Sequence, residues 1–293
     1  MMGRLVSIDG SIVAPEEAKV SVYDRGFLYG DSVFETIRTY RGVPFALAEH
    51  MERLERSSAR VGIPMPIPRD ALLAEVEQAI AAAGNPESYI RAMLTRGAGP
   101  LGLDPTLAQE PLRVIFIEPL VPLPASMYRD GVSVVTVRTE RAADAASGAK
   151  VGNYLASLLA LRVAKEAGAH EALITGADGT VMEGTTSNVF AVRDGSLLTP
   201  PDEAGILPGI TRAHLLHAAA DIGISVRFER LTPDELAASS EAFISSSIRE
   251  VLPVVRVDSA QVSDGRPGPI TRALHAAFRR RIGLTGDPMP WDK

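Results

Sequence analysis

The feature that most constrains the fold of this chain is the repeated change between strand-like and helix-like patterning along its whole length. In ESYIRAMLTRG, residues 87–97, the odd-numbered positions from Tyr89 to Thr95 face one side and the even-numbered positions from Ile90 to Leu94 face the other, as in a β-strand. Residues 69–83 instead carry apolar residues at helical spacing. Because both patterns recur in each half of the sequence, we predict a mixed α+β or α/β fold.

Turn signals and apolar runs predict further elements. Asp9-Gly10, between two apolar runs, is typical of a β-hairpin, and residues 48–63 (AEHMERLERSSARVGI) predict an amphipathic helix. The later part of the chain predicts a helix from Asn153 to about Gly168, strands between residues 171 and 198, a helix beginning in LPGITR (207–212), and two strands around the polar loop SSS (245–247).

The chain length and one proline-bearing segment predict two domains. At 293 residues the chain is near the size at which one core commonly divides into two. VPLPASMYRDG, residues 121–131, has the composition of a connector that ends in a turn. We predict a smaller N-terminal α/β domain over 1–119, a connector over 120–131, and a larger C-terminal domain over 132–293.

Composition excludes several classes of function. The net charge of -6 and pI of about 5.5 argue against a broad nucleic-acid-binding face, so we expect a small-molecule ligand. Cysteine is absent, which excludes disulfides and thiolate metal sites and fits the cytoplasm. No apolar run approaches the ~18 residues of a membrane span, and no signal-peptide core is seen, so we expect a soluble protein. The five histidines lack metal-ligand spacing, and neither G-x-G-x-x-G nor a P-loop is present, so no metal is predicted.

One lysine stands out in DAASGAKVGNYLASLLALR, residues 144–162. The chain has only four lysines, and Lys19, Lys165 and Lys293 have the polar surroundings of solvated surface positions. Lys150 is flanked by small and apolar residues, where an ammonium is poorly hydrated and a partly neutral amine becomes a nucleophile. From local sequence alone, a lysine whose amine extends out to water from an apolar strand end explains the pattern as well.

Three further stretches complete a possible site. Glu183 is a carboxylate at the end of an apolar strand, Thr211 stands at the start of a helix whose N-terminus suits a phosphate, and ISSSIRE supplies hydroxyls and backbone N–H groups. Each has a plain structural alternative: a turn residue, a helix cap and a polar turn. Together they supply an amine, a carboxylate and two anion cradles, the set that pyridoxal phosphate requires for its aldehyde, its pyridine nitrogen and its phosphate.

The order of these motifs extends the argument to nearly the whole chain. YDRGFLYGDSVFETIR, HMERL, YIR, AKVGNYL, EGTTSNVF, LPGITR, SSSIREVLPV and GPIT follow one another from residue 23 to residue 271. In this order they resemble the class IV (fold type IV) pyridoxal phosphate aminotransferases, which include branched-chain and D-amino-acid aminotransferases and aminodeoxychorismate lyase. The resemblance implies a two-domain fold type IV enzyme with pyridoxal 5'-phosphate as cofactor, and it is closest to the branched-chain enzymes.

The resemblance also implies roles for individual residues. Lys150 would be the catalytic Schiff-base lysine, and Glu183 would pair with the pyridine nitrogen. The other cofactor-binding residues would be Arg53, Tyr154, Ile210, Thr211, Ser246 and Ser247. The substrate pocket would be lined by Tyr29, Phe34, Tyr89, Arg91, Ser247 and Ile248.

The choice of substrate depends on a few positions. D-amino-acid enzymes of the family typically place an arginine and a histidine just after TRG, where this chain has Leu101 and Leu103. We therefore expect transamination of a branched-chain L-amino acid with 2-oxoglutarate in a ping-pong cycle through Lys150, and a homodimer or larger assembly. Thr36 and Arg249 depart from the branched-chain pattern; Thr36 would narrow the pocket, and Arg249 would face solvent or bind a second carboxylate. D-amino-acid transamination, aminodeoxychorismate lysis and a non-catalytic pyridoxal-phosphate-binding module remain the alternatives.

Overall fold

The computed structural model describes residues 3–139 and 148–292. The chain forms two compact units. The first unit comprises Met1–Val121 and Gly148–Tyr154, and the second comprises Pro122–Ser147 and Leu155–Lys293. The segment that carries Lys150 therefore groups with the N-terminal unit, whereas the sequence had assigned it to the C-terminal domain.

The first unit is an antiparallel sheet with two long helices. Its strands, within the described residues, are Leu5–Ile8 (β1), Ser11–Val13 (β2), Ser32–Tyr40 (β3), Val43–Pro44 (β4), Ser88–Thr95 (β5) and Leu112–Pro119 (β6), in the spatial order β2-β1-β6-β5-β3-β4. Its helices are Arg25–Tyr29 (α1), Leu47–Arg60 (α2) and Arg69–Ala83 (α3). The side chains of α2 and α3 that face the sheet, including Met51, Leu54 and Val76, are buried against strand residues such as Ile37 and Ile90.

The segment around Lys150 joins the first unit through backbone hydrogen bonds to β3. Phe34 N donates to Lys150 O over 3.0 Å, and Gly152 N donates to Ser32 O over 2.7 Å. A side chain at Gly152 would meet Ser32 Oγ at 1.9 Å, so only glycine allows this close approach. This pairing joins Lys150 to the N-terminal unit although it lies far from β3 in sequence.

The second unit is built on a larger mixed sheet. Its strands are Val132–Arg138 (β7), Glu171–Thr175 (β8), Val181–Gly184 (β9), Asn188–Arg193 (β10), Ser196–Thr199 (β11), Val226–Phe228 (β12), Glu241–Ser246 (β13), Glu250–Val257 (β14) and Ala260–Gln261 (β15). Their order is β12-β11-β10-β13-β14-β7-β8-β9, with β15 beside β14. The pairs β14–β7, β7–β8 and β11–β12 are parallel, and the other pairs are antiparallel.

Helices cover this sheet and close its core. They are Ala125–Asp130 (α4), Leu155–Glu166 (α5), Ile210–Asp221 (α6), Pro233–Ala237 (α7) and Pro269–Arg281 (α8). One cluster of buried side chains, including Val134, Leu173 and Leu252, fills the centre, and a second cluster packs α5 against β8. Strands β8, β9 and β13 are nearly continuous apolar runs because they are buried almost throughout.

Most of the predicted elements are present. Asp9 and Gly10 form the β1–β2 turn, both with positive φ, and helix α3 spans the predicted residues 69–83. The helix predicted from Asn153 begins at Leu155 and ends at Glu166. Helix α8 was not predicted, although Pro269 at its first turn is a typical helix start. Within the described ranges, no helix is long and apolar enough to cross a membrane.

Candidate active site

Lys150 is held at its backbone and directed by its neighbours in the first unit. Its N–H donates to Ser57 Oγ on α2 over 3.2 Å, and its carbonyl accepts from β3. Its Nζ donates to Tyr154 Oη over 3.3 Å. The amine and the hydroxyl that the sequence predicted to be cofactor ligands are therefore hydrogen-bonded to each other.

The ring of Phe34 lies beside three of the predicted site residues. The Arg91 guanidinium is 3.7 Å from the ring centroid, Lys150 Nζ is 4.7 Å from it, and the Tyr154 ring meets it edge-on with centroids 5.1 Å apart. Among the described residues, Arg91 has no hydrogen-bond or ion-pair partner. Its contact with Phe34 is a cation–π interaction, which fixes the plane of the guanidinium while leaving its N–H groups for another acceptor.

Arg53 is anchored by a carboxylate that the sequence did not single out. Its Nε and Nη2 each donate to Glu35 over 2.7 Å, and His50 Nδ1 lies 2.7 Å from the same carboxylate. All three side chains are buried. Burial alone would raise the pKa of Glu35, but Arg53 and His50 outweigh it and lower that pKa to about 2. Burial lowers the pKa of His50 against the opposing effect of Glu35, so the neutral ring donates its Nδ1 proton to an ionised carboxylate.

Two tyrosines predicted to line the substrate pocket lie on different elements of the first unit. The Tyr29 hydroxyl, on α1, accepts from Gly102 N over 3.1 Å and so contacts the loop that follows TRG. Tyr89 lies on the same face of β5 as Arg91, and both are partly buried. In the same loop Leu101 and Leu103 are 68% and 80% exposed.

Glu183 is fixed within the second unit by the loop that precedes α6. Its Oε2 accepts from Leu207 N over 2.9 Å, and the Leu207 carbonyl in turn accepts from Asn188 Nδ2 over 2.9 Å. A Cβ at Gly209 would approach Asn188 Oδ1 to 1.9 Å, so glycine is required there. Asn188 therefore holds the loop that orients the Glu183 carboxylate.

The N-terminus of α6 has the features of an anion site. Its cap residue is Gly209, and no side chain of the described residues caps the first turn. Thr211 is 2% exposed, and its Oγ1 is buried without a hydrogen-bond partner among the described residues. Ile210 and Thr211 thus present backbone N–H groups, and Thr211 also presents a buried hydroxyl, at the positive end of the helix dipole.

The loop SSSIRE joins β13 to β14. Ser246 Oγ accepts from Arg249 N over 3.3 Å, which closes the turn around Ser247 and Ile248. Arg249, which the sequence left either facing solvent or binding a second carboxylate, pairs with the buried Glu171 over 2.8 Å. The polar loop that was predicted is therefore a fixed turn.

Comparison with known proteins decides the family. The family model described as Amino-transferase class IV matches residues 32–257. The chain belongs to the class IV aminotransferases. A Methanocaldococcus jannaschii protein described as a putative branched-chain-amino-acid aminotransferase is 38% identical over 94% of this chain and 95% of its own length. A D-alanine aminotransferase of Bacillus licheniformis is 31% identical over 94% of this chain and 96% of its own length.

A solved structure agrees with this assignment along nearly the whole chain. The branched-chain amino acid aminotransferase of the source abbreviated T.th., solved with pyridoxamine 5'-phosphate, superposes with a TM-score of 0.91 at 30% identity, covering 99% of this chain and 98% of that one. The same enzyme, called the T.th. enzyme below, has also been solved with N-(5'-phosphopyridoxyl)-L-glutamate and with 4-methylvaleric acid. The two-domain fold type IV architecture predicted from the sequence is confirmed.

Class IV aminotransferases use pyridoxal phosphate, and this aminotransferase has residues that fit the cofactor. The partnerless Thr211 hydroxyl at an uncapped helix start suits a phosphate, the Glu183 carboxylate suits a pyridinium nitrogen, and Lys150 provides an amine. Sequence reasoning missed the residues that support them, chiefly Glu35, Asn188 and Glu171. Glu35 and Asn188 lie inside quoted motifs, FET and SNVF, but only burial shows what they do.

Proposed function

We propose that this aminotransferase moves the amino group of a branched-chain L-amino acid to 2-oxoglutarate. The observation that carries the proposal is the pairing of Arg91 with Phe34. The ring supplies an apolar wall, and the guanidinium supplies a cation whose N–H groups have no acceptor among the described residues. A branched side chain gains ~0.8 kcal/mol per buried methylene against such a wall, and a second carboxylate gains charge-assisted hydrogen bonds to Arg91.

The complexes of the T.th. enzyme support this pair of substrates. That enzyme takes a glutamate-derived compound and a branched aliphatic acid. In this chain Arg91 would bind the side-chain carboxylate of the dicarboxylate, while Phe34, Tyr29 and Tyr89 would contact the aliphatic substrate. The exchange of a dicarboxylate and an aliphatic substrate at one site requires such a mixed lining, because the two bind in turn in a ping-pong cycle.

We assign the cofactor to the residues that fit it. Arg53, Ile210, Thr211, Ser246 and Ser247 would hold the phosphate, Glu183 would hold the proton on the pyridine nitrogen, and Tyr154 would donate to the phenolic oxygen. When bound, pyridoxal phosphate supplies an aldehyde carbon that accepts the amino group and a protonated ring that withdraws electrons from the substrate's α carbon. The fixed turn formed by Ser247 and Ile248 would contact the substrate beside the cofactor.

Lys150 would do the proton transfer. Its amine both holds the cofactor covalently before substrate arrives and, once displaced, takes a proton from the α carbon and returns it one atom away. Tyr154 Oη, which accepts from Nζ over 3.3 Å, directs the amine, and Phe34 limits water on one side of it. Because Arg91 lies against the same ring, the amine and the proposed carboxylate-binding cation are held close to one aromatic side chain.

D-amino-acid transamination is the competing function, since the D-alanine aminotransferase of Bacillus licheniformis also matches nearly the whole chain. The segment 97–111, however, contains no arginine, lysine or histidine. The carboxylate of a D-amino acid bound with its α hydrogen toward Lys150 would lie on the side opposite to that of an L-amino acid, without a basic partner from this loop. A buried carboxylate without a partner costs several kcal/mol.

The proposal extends to assembly and compartment. Helix α5 exposes Leu155, Leu158, Leu159 and Val163, which supports burial against a second copy in a homodimer. The absence of cysteine fits the cytoplasm. Sedimentation of the purified holoenzyme tests the first point, and a dimer is expected.

Arg91 provides the test of the substrate pair. Arg91→Met should raise the KM for 2-oxoglutarate about 10- to 100-fold, because charge-assisted hydrogen bonds are lost, and should change the KM for the monocarboxylate 2-oxoisocaproate by less than about threefold. Arg91→Lys, which keeps the charge, should fall between the two. An equal rise for both oxo acids would show that Arg91 does not read the second carboxylate, and the choice of 2-oxoglutarate would be withdrawn.

A further inference from the structure

The turn between β13 and β14 is attached to its surroundings by Arg249. The Arg249 N–H donates to Ser246 Oγ over 3.3 Å, and its carbonyl accepts from Tyr128 Oη over 3.1 Å. The next residue, Glu250, has φ of 60°, a left-handed conformation that is strained for glutamate. The surrounding contacts must therefore hold this turn in place.

Glu171 is the group to which the Arg249 side chain attaches. It is fully buried at the start of β8, and its Oε1 accepts from Thr185 Oγ1 over 2.9 Å and from Thr186 N over 2.8 Å. These threonines form the turn directly after Glu183. A Cβ at Gly184 would approach Glu171 Oε1 to 2.8 Å, so the turn packs closely on this carboxylate.

The other carboxylate oxygen of Glu171 faces Arg249. Arg249 Nη1 lies 2.8 Å from Glu171 Oε2 and donates to Thr186 Oγ1 over 2.9 Å. Within the described part of the chain, Oε2 has no hydrogen bond, so this ion pair is what neutralises it. One nitrogen of Arg249 thus bridges the buried carboxylate and the turn that follows Glu183.

We propose that Arg249 is a positioning residue that ties the Ser247–Ile248 turn to the Glu183 turn through Glu171, and that it does not bind substrate. The inference rests on the proposed function for the roles of Ser247, Ile248 and Glu183. The sequence allowed Arg249 to bind a second carboxylate, but its Nη1 already contacts Glu171 and Thr186, and an internal carboxylate balances its charge. A position where the family usually has a small residue here carries a side chain that makes a chain-specific tie.

The neighbouring His170 supplies an independent reporter. Its pKa is lowered to about 4, first by burial and then by the positive charge of Arg249, while Glu171 opposes the shift and Lys165 adds to it. Loss of the Arg249 charge should raise the pKa of His170. This change follows from where the guanidinium lies and does not require the enzyme to turn over.

The experiment compares Arg249→Ala, Arg249→Lys and Glu171→Gln in the holoenzyme, with Arg230→Ala as control. Arg230 makes an exposed ion pair with Asp178, remote in sequence from both turns. Arg249→Ala and Glu171→Gln should each raise KM for L-leucine and for 2-oxoglutarate together, about tenfold, with a smaller change in kcat, as coupled partners do. Arg249→Lys should recover most of the loss, because a single nitrogen makes both contacts.

Hydrogen exchange of the segment 245–250 separates failure of this inference from failure of the proposed function. Faster exchange in Arg249→Ala and Glu171→Gln, but not in Arg230→Ala, is expected even if the substrates are other than proposed. If Arg249→Ala does not fold, Thr186→Val removes one contact and should speed exchange to a lesser extent. Unchanged exchange, or a KM that rises in Arg249→Ala for 2-oxoglutarate alone and not in Glu171→Gln, would overturn the inference and make Arg249 a substrate ligand.

Discussion

Each unit buries a glutamate, a histidine and an arginine in contact with one another. In the first triad, defined as Glu35, His50 and Arg53, the strand β3 supplies the carboxylate and helix α2 supplies the other two. In the second triad, defined as Glu250, His275 and Arg279, strand β14 and helix α8 take the same parts. In both, a histidine nitrogen lies 2.7 Å from a carboxylate oxygen.

The triads differ in how the arginine is used. Arg53 grips Glu35 with two nitrogens, Nε and Nη2. Arg279 contacts Glu250 through Nη1 alone, and its Nη2 donates to the Pro288 carbonyl, which ties down the C-terminal segment.

Their neighbours differ as well. The charge of Lys150 acts on His50, whereas His275 packs against Tyr128 and Trp291. A buried Glu–His–Arg set is therefore not a signature of an active site, and its neighbours decide its role.

Removal of the amine that sets the first triad apart should have the largest effect. Lys150→Ala should abolish transamination, a loss of at least about 10⁴-fold, because the covalent hold on the cofactor and the proton transfer both use Nζ. Lys165→Ala is the matched control, since Lys165 only donates to the carbonyls of Ala169 and His170 at the end of α5. Steady-state rates and circular dichroism of both variants check the prediction. Near-normal turnover by a folded Lys150→Ala enzyme would end the assignment.

Truncation of the two arginines should separate the triads next. Arg53→Met should weaken pyridoxal phosphate binding to the apoenzyme about 10- to 100-fold, because charge-assisted hydrogen bonds to phosphate are lost. Arg279→Met should leave cofactor affinity within about threefold. Both variants leave a buried carboxylate short of its cation, so both should lose ~3–5 kcal/mol of unfolding free energy. Cofactor titration and urea unfolding give the two quantities, and equal cofactor affinities would mean that Arg53 is only structural.

The sequence predicted the chemistry of the first triad better than its structure. Arg53 was selected because HMERL resembles a family motif, and its partner Glu35 was overlooked because a glutamate inside a strand pattern gives no sign of its burial. The second triad drew no prediction, since its glutamate and arginine stand 29 positions apart and its members share no motif. The strands and helices followed from local patterning, but the grouping of Lys150 with β3 depends on long-range backbone pairing that no local signal encodes.

Acid should weaken the first triad by a smaller amount. The pKa of Glu35 is lowered to about 2 from an ordinary value of 4.5, so its stabilisation is complete above pH 4.5 and is lost as the pH falls toward 2. The total is about 3 kcal/mol, at ~1.36 kcal/mol per pH unit. Protonation of His50, whose pKa is also lowered, adds to the loss below about pH 6.5. The stability gap between wild type and Glu35→Gln in urea should therefore narrow between pH 4.5 and 3, and a constant gap would contradict this origin.

The central claim is that the site accepts branched-chain L-amino acids, and a half-reaction measures it most directly. The holoenzyme is mixed in turn with L-leucine and D-leucine, without an oxo acid, and the rate of change in the visible absorbance of the cofactor is followed. Because Leu101 and Leu103 give the D-carboxylate no cation, conversion with L-leucine should be faster by more than about 100-fold. Equal or faster conversion with D-leucine would show that a basic group other than one in segment 97–111 binds the carboxylate, and it would contradict the account.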